Sequence, residues 1–91
     1  MLCVYILQSI EFKRLYIGHS AIVDNRILRH NQGRSKATKP YIPYRTIAVI
    51  PRESRSDAIA LEKHLKRLKN QQSLKRHLNR HFREYIREEI I

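Results

Sequence analysis

Val4-Tyr5-Ile6, followed by Tyr16-Ile17-Gly18 and then by Arg26 and His30, is the stretch whose reading decides the fold. Residues 2–8 and 14–18 are short runs rich in β-branched, aromatic and aliphatic side chains, with the polar-interrupted Ser9, Ile10, Glu11, Phe12 and Lys13 between them. Two adjacent antiparallel strands follow. A loop at residues 9–12 sets Tyr5 directly opposite Tyr16 with both hydroxyls on one sheet face, whereas a slip of one residue sends them to opposite faces. In the second strand Leu15 and Ile17 alternate with Tyr16 and Gly18. One face therefore reads as core, and the other carries a phenol beside a bare backbone that a ligand or another segment can approach closely. Taken alone, the two tyrosines read more readily as ordinary sheet residues.

Downstream, residues 20–32 read as a helix, with Ser20 as N-cap, Asp24 in the first turns, Val23 and Ile27 as an i, i+4 apolar pair and Gly33 as the stop. Arg26, Arg29 and His30 share a face directed away from Val23, which is either a solvated basic face or a phosphate-binding one. Residues 32–42 form the clearest loop: Gly33, Ser35, Thr38 and Pro40 break any period, and Arg34, Lys36 and Lys39 add charge suited to a nucleic-acid backbone. Residues 43–50 predict a third strand, buried on both faces in its apolar second half and ended by Pro51.

A second helix spans residues 54–69, capped by Ser54 or Ser56, with Ala58, Leu61, Leu65 and Leu68 as its apolar stripe. Glu62 stands at the border of that stripe and needs a partner, since an unpaired buried charge is costly. Lys66 at i+4 offers a surface pair worth about 0.3–0.5 kcal/mol. A divalent cation offers the functional alternative, for which a hard oxygen ligand is suitable. A third helix over residues 72–89 places Leu74, Leu78, Phe82, Tyr85 and Ile86 toward the core, while Lys75, Arg76, Arg80, Arg83 and Arg87 make a basic surface. That surface is either a second nucleic-acid track or a solubilising face.

At 91 residues the chain has room for one modest core and predicts a single domain. With 19 Lys and Arg against 8 Asp and Glu, a formal charge of +11, a polyanionic partner is the first expectation. A single cysteine, Cys3, excludes a disulfide framework and a cysteine-rich zinc site. No apolar run is long enough to span a membrane, and the amino terminus lacks a signal-peptide pattern, so an intracellular, non-membrane protein is expected.

Tyr5, Tyr16, Gly18, Arg26, His30 and, much later, Glu62 stand in the order and approximate spacing of the GIY-YIG nucleases, and over residues 3–70 the chain resembles a minimal stand-alone member of that family. The first motif reads Val4-Tyr5-Ile6 where the family has Gly-Ile-Tyr; the tyrosine is kept, and the flanking positions are exchangeable strand residues. Gly18-His19-Ser20 leading into Arg26-Ile27-Leu28-Arg29-His30-Asn31 makes the ordered set far more specific than either short motif. In several members a polar residue, often Asn, follows the glutamate; here the corresponding stretch is Ser73-Leu74-Lys75, with Asn70, Gln71 and Asn79 nearby.

The resemblance implies a small α/β domain over residues 1–91, of order β-β-α-β-α-α, with a three-stranded, mainly antiparallel sheet flanked by helices. One sheet face would present Tyr5 and Tyr16 toward Arg26, His30 and Glu62. It further implies a DNA endonuclease in which Glu62 holds one Mg2+ or Mn2+, Arg26 clamps the scissile phosphate, and His30 orients a phosphate or water or shuttles a proton. A tyrosine acts as general base without a covalent intermediate. Tyr5 is the preferred base, with Arg26 and the metal favouring its phenolate, and Tyr16 orients the water or phosphate. Arg29, Arg34, Lys36 and Lys39 would bind the nucleic-acid backbone.

So small a chain has little surface for base-specific readout, so branched, flapped or single-stranded DNA is expected, as met in DNA repair or recombination; RNA stays open. A monomer or weak dimer is expected, with a protein partner left open. Two other readings stand beside the nuclease: a basic module that binds nucleic acid without cutting, and an accessory protein docking its third helix on an acidic partner.

Overall fold

The structure is a computed structural model that describes residues 2–68 and 70–91. Its elements run β1 (Leu2–Ser9), β2 (Leu15–Ser20), α1 (Val23–Asn31), β3 (Tyr44–Arg52), α2 (Arg55–Lys66) and α3 (Gln71–His81), with short 3-10 turns at Lys39–Tyr41 and Arg83–Tyr85. The order β-β-α-β-α-α and the antiparallel three-stranded sheet agree with the sequence reading.

β1 lies in the middle, between β2 and β3. Its near-continuous apolar sequence suits a strand covered on both faces, and residues 4–9 are all buried. Alternation sorts them into two layers. Val4 and Ile6 join Ile17, Ile50, Ala58, Leu61, Leu65, Leu74 and Leu78 in the core beneath α2 and α3. Tyr5 and Leu7 point the other way and pack with Tyr16, Tyr44, Val23 and Ile27 under α1.

The hairpin differs from expectation by two residues. Tyr5 pairs with Gly18 and Leu7 with Tyr16, so the two tyrosines are diagonal neighbours rather than directly opposed. Ser9 is the reason. It remains in the strand: its N–H donates to the Arg14 carbonyl at 2.9 Å, its own carbonyl accepts from Lys13 N–H at 3.0 Å, and its hydroxyl accepts from Phe12 N–H at 3.2 Å. The chain turns through Lys13 at φ 60°, a left-handed conformation uncommon outside glycine and Asn or Asp. Because side chains repeat every second residue, a two-residue shift leaves both tyrosines on the same face.

Other boundaries also move. Ser20 ends β2 instead of capping α1; its hydroxyl accepts from Ile22 N–H at 3.0 Å, and α1 starts at Val23 with no side-chain cap. β3 runs on to Arg52, past Pro51, which an edge strand tolerates because one side of it carries no ladder. Ser54 caps α2 as expected, accepting from Asp57 N–H, and α2 ends at Lys66; the expected end at Lys69 lies outside the described residues.

The third helix stops at His81, well short of residue 89. The remaining chain folds back onto the outer side of β3. Ile86 bridges Ala48, Arg87 N–H donates at 2.7 Å to the Ile47 carbonyl where the β1–β3 register shifts, and Ile90 fills the core. A continued helix would leave that edge and carbonyl without these partners. Gln8, fully buried, secures the end of the chain: its Oε1 accepts from Ile91 N–H and from Arg45, while its Nε2 donates to the Ile91 and Lys13 carbonyls.

Replacing Gln8 with Leu is expected to cost about 1–3 kcal/mol, because it orphans buried polar groups rather than removing a pair. Urea unfolding should show the loss, and amide exchange should accelerate first over residues 86–91.

Candidate active site

The inner side of the tyrosine layer is built by subtraction. A Cβ at Gly18 would fall 2.7 Å from the Tyr5 hydroxyl oxygen and 2.8 Å from its Cζ, so the Tyr5 phenol occupies space that only glycine leaves open. Tyr16 lies beside it, with ring centroids 6.2 Å apart, and its own ring is 4.8 Å from that of His30. Tyr5 and His30 are each 2 % exposed, and the Tyr5 hydroxyl meets His30 Nε2 at 3.1 Å.

His30 is therefore not on the exposed face with Arg26 and Arg29. It extends the Val23 and Ile27 stripe by a further turn, at i+7 from Val23, and points into the layer while both arginines stay exposed. Its other nitrogen, Nδ1, lies 2.8 Å from the hydroxyl of fully buried Thr38. Thr38 in turn donates to the Ser35 carbonyl over a long 3.5 Å. Each ring nitrogen thus has one hydroxyl partner, so in the neutral ring one nitrogen donates and the other accepts. Burial, with the Arg26 charge adding to it, pushes the His30 pKa below the ordinary histidine value of 6.5 and so favours the neutral ring.

The loop after α1 is tied down around this chain of groups. Gly33 takes φ 73° and its N–H returns to the His30 carbonyl, closing the helix as the sequence suggested. Asn31 holds the Tyr44 backbone through both atoms of its amide, and the Tyr44 hydroxyl donates to the Thr38 carbonyl. Arg26, Arg29 and Arg34 line, with His30 and Ser35, a shallow cleft of about 190 Å3. Lys36 and Lys39 are exposed outside that lining.

Glu62 comes from α2, in the opposite layer, and meets the sheet at the β2 edge. His19 Nδ1 lies 2.8 Å from one carboxylate oxygen and Lys66 Nζ 3.0 Å from the other. Burial alone would raise its pKa, but the hydrogen bonds from His19 and Lys66 outweigh that and hold it below the usual carboxylate value. The sequence reading foresaw Lys66 and missed His19, although alternation from Ile17 already turned His19 toward α2. Arg26 and Glu62 both act on the Tyr5 phenol, in opposite senses. Burial dominates, followed by Tyr16, so the Tyr5 pKa rises well above 10, while Arg26 acts in the expected sense and lowers it.

Among the described residues no group of three or more His, Cys, Asp or Glu gathers to hold a metal ion. Glu62 alone fits a cation of the Mg2+ type, which keeps most of its water and is bound through one or two carboxylates plus substrate phosphate. Lys66 is half-exposed and able to yield its oxygen.

With this geometry in view, the match of residues 1–79 to the model of the GIY-YIG catalytic domain decides the family. The chain belongs to the GIY-YIG family. No curated protein and no solved structure matches it. As a GIY-YIG domain it falls among nucleases; Tyr5 lies against Gly18 and meets His30, and the Tyr16 ring packs beside His30. Arg26 stands at the rim of this GIY-YIG cluster, and Glu62 is joined to it through charge rather than by a hydrogen bond. Among the described residues no helix is long and apolar enough to cross a membrane.

Two measurements check the cluster. Gly18→Ala should displace the Tyr5 phenol and lower activity by about a hundredfold, since small displacements of positioned groups carry such costs. In an NMR titration His30 should give up its proton below the ordinary histidine value of about 6.5. Because the unfolded chain then binds more protons than the folded one, stability contributed by His30 is full above that value and falls as pH drops through it.

Proposed function

We propose that the chain is a divalent-metal-dependent endonuclease that hydrolyses phosphodiester bonds in structured or single-stranded DNA. The observation that carries this is the buried Tyr5–His30–Thr38 hydrogen-bond chain, whose His30 lines the Arg26 cleft and whose Tyr5 feels the charge of Glu62. Phosphodiester hydrolysis needs a proton acceptor for water, charge relief on the phosphate and help for the leaving oxygen.

Burial argues against a resting phenolate at Tyr5, and the hydrogen bond supplies another route. As water attacks phosphorus, the Tyr5 oxygen takes its proton while the phenolic proton passes to His30 Nε2. The imidazole is neutral and already oriented by Thr38, so no prior ionisation of tyrosine is required. Tyr16 orients the water or phosphate alongside. Arg26 clamps the scissile phosphate, and its charge survives at any working pH. Arg29 and Arg34, which share its cleft, bind adjacent phosphates, and Lys36 and Lys39 extend that contact from outside it. Glu62 is the residue that would hold one Mg2+ or Mn2+, with His19 fixing its carboxylate. A cation bound there neutralises charge developing on the phosphate and the leaving oxygen.

Labelled single-stranded, duplex, flap and branched DNA, incubated with Mg2+, Mn2+ or EDTA, tests the proposal. Cleavage should require metal and prefer the open structures, with Tyr5→Phe and Glu62→Gln each losing about 10²–10⁴-fold while binding persists. The rate should fall as pH drops below about 6.5, because protonated His30 accepts nothing; His30→Gln should remove that limb along with most of the activity. Binding without cutting under every metal would leave instead a basic nucleic-acid-binding module.

A further inference from the structure

The hydrolytic cluster leaves unexplained the most basic helix of the chain. α3 reads Gln71-Gln72-Ser73-Leu74-Lys75-Arg76-His77-Leu78-Asn79-Arg80-His81 and contains no acidic residue. Among the described residues, the salt bridges are made by His19, Arg45 and Lys66, none of them on α3. Arg76 and Arg80 stand at i, i+4, where like charges repel, and His77 and His81 repeat the pattern one residue on. The helix tolerates this crowding without internal compensation.

The imidazoles form a cluster of tilted, edge-on contacts. His77 sits between His64 of α2, with ring centroids 4.8 Å apart, and His81, at 4.7 Å, and it also faces Phe82, over whose ring the Arg52 guanidinium of β3 lies. Burial, then His64, His81 and Arg80, push the His77 pKa below its usual value. Arriving anions reverse that pressure, since phosphate favours the protonated ring.

Two clefts that share Leu68 lie on this side of the molecule. Leu68, Ser73, Arg76, His77, Arg80 and His81 line one of about 250 Å3. A larger one, about 480 Å3, is lined by Arg14, Tyr16 and Ile17 at the open edge of β2, by Lys66 of α2 and by Leu68. Its floor is apolar, with Leu65 and Leu74, and Arg14 stands at its mouth. An apolar channel between cationic walls suits unstacked bases with phosphates outside, the arrangement of a single strand.

We infer that α3, through Arg76, His77, Arg80 and His81, is a second backbone-binding site for the single-stranded nucleic acid that flanks the scissile phosphate, reached along the cleft from Tyr16. Its position beside that phosphate rests on the nuclease reading; its affinity for a strand does not.

Binding of labelled oligodeoxythymidine in EDTA, by anisotropy across a salt series, tests it without cleavage. Strands of about 12 nucleotides should reach α3, and strands of about 4 should not. Arg76→Gln with Arg80→Gln should weaken the long strand about tenfold and reduce the slope of log affinity against log salt by about 1.4, two phosphates' worth for a single strand, leaving the short strand unchanged. Affinity of the unaltered protein for the long strand should rise as pH falls, because bound phosphate favours the protonated His77 ring, and His77→Gln should reduce that rise. Arg83→Gln with Arg87→Gln makes the same change in net charge outside the cleft and should have little effect. An equal loss in that control pair, an equal loss on the short strand, or an unchanged salt slope would overturn the inference. A protein that binds as described and cuts nothing would keep it and lose the nuclease reading.

Discussion

Tyr5 has one place to go. Its ring is on a central strand whose other side faces α2 and α3, so it must lie in the layer under α1, and there the missing Cβ of Gly18 provides the space. Filling that space brings the hydroxyl against His30, which requires α1 to cross the sheet with its last turn turned inward. His30 then needs a partner for its second nitrogen, and Thr38 has to be buried to supply one. A loop rich in charge and turn residues is thereby organised around one uncharged hydroxyl.

The arrangement separates two kinds of polar chemistry. Inside the tyrosine layer the groups are neutral, hydrogen-bonded in series and shielded from water, which strengthens each bond and makes each missing partner expensive. The ionised groups stand around it: Arg26, Arg29 and Arg34 along one cleft, and Glu62 at the edge of β2, held by His19 and Lys66. Holding the two kinds in separate layers lets the carboxylate stay ionised while the phenol stays protonated.

The same economy explains the small core. Gln8 and the returning chain end take over the sealing of the outer strand that a longer helix would not perform, and among the described residues the basic surface of α3 makes no ion pair. Charge that contributes nothing to the core is available to a polyanion.

Much of this was legible without coordinates, because it depended on local periods. The two-residue alternation of Leu15-Tyr16-Ile17-Gly18 assigned faces that survived a shift in register, and the apolar spacing of α2 put Glu62 at a boundary. Caps and stops such as Ser54 and Gly33 acted through neighbours a turn away and were read correctly. What depended on distant partners was not legible: the His19 contact to Glu62, the inward turn of His30, the rise of the Tyr5 pKa and the end of α3 at His81. Each is settled by burial against another segment or by a polar group that needs a bond there. The sequence by itself determined which residues share a face, since that follows from backbone geometry; tertiary structure alone decided which faces meet, since desolvation and hydrogen bonding act only once the chain has closed on itself.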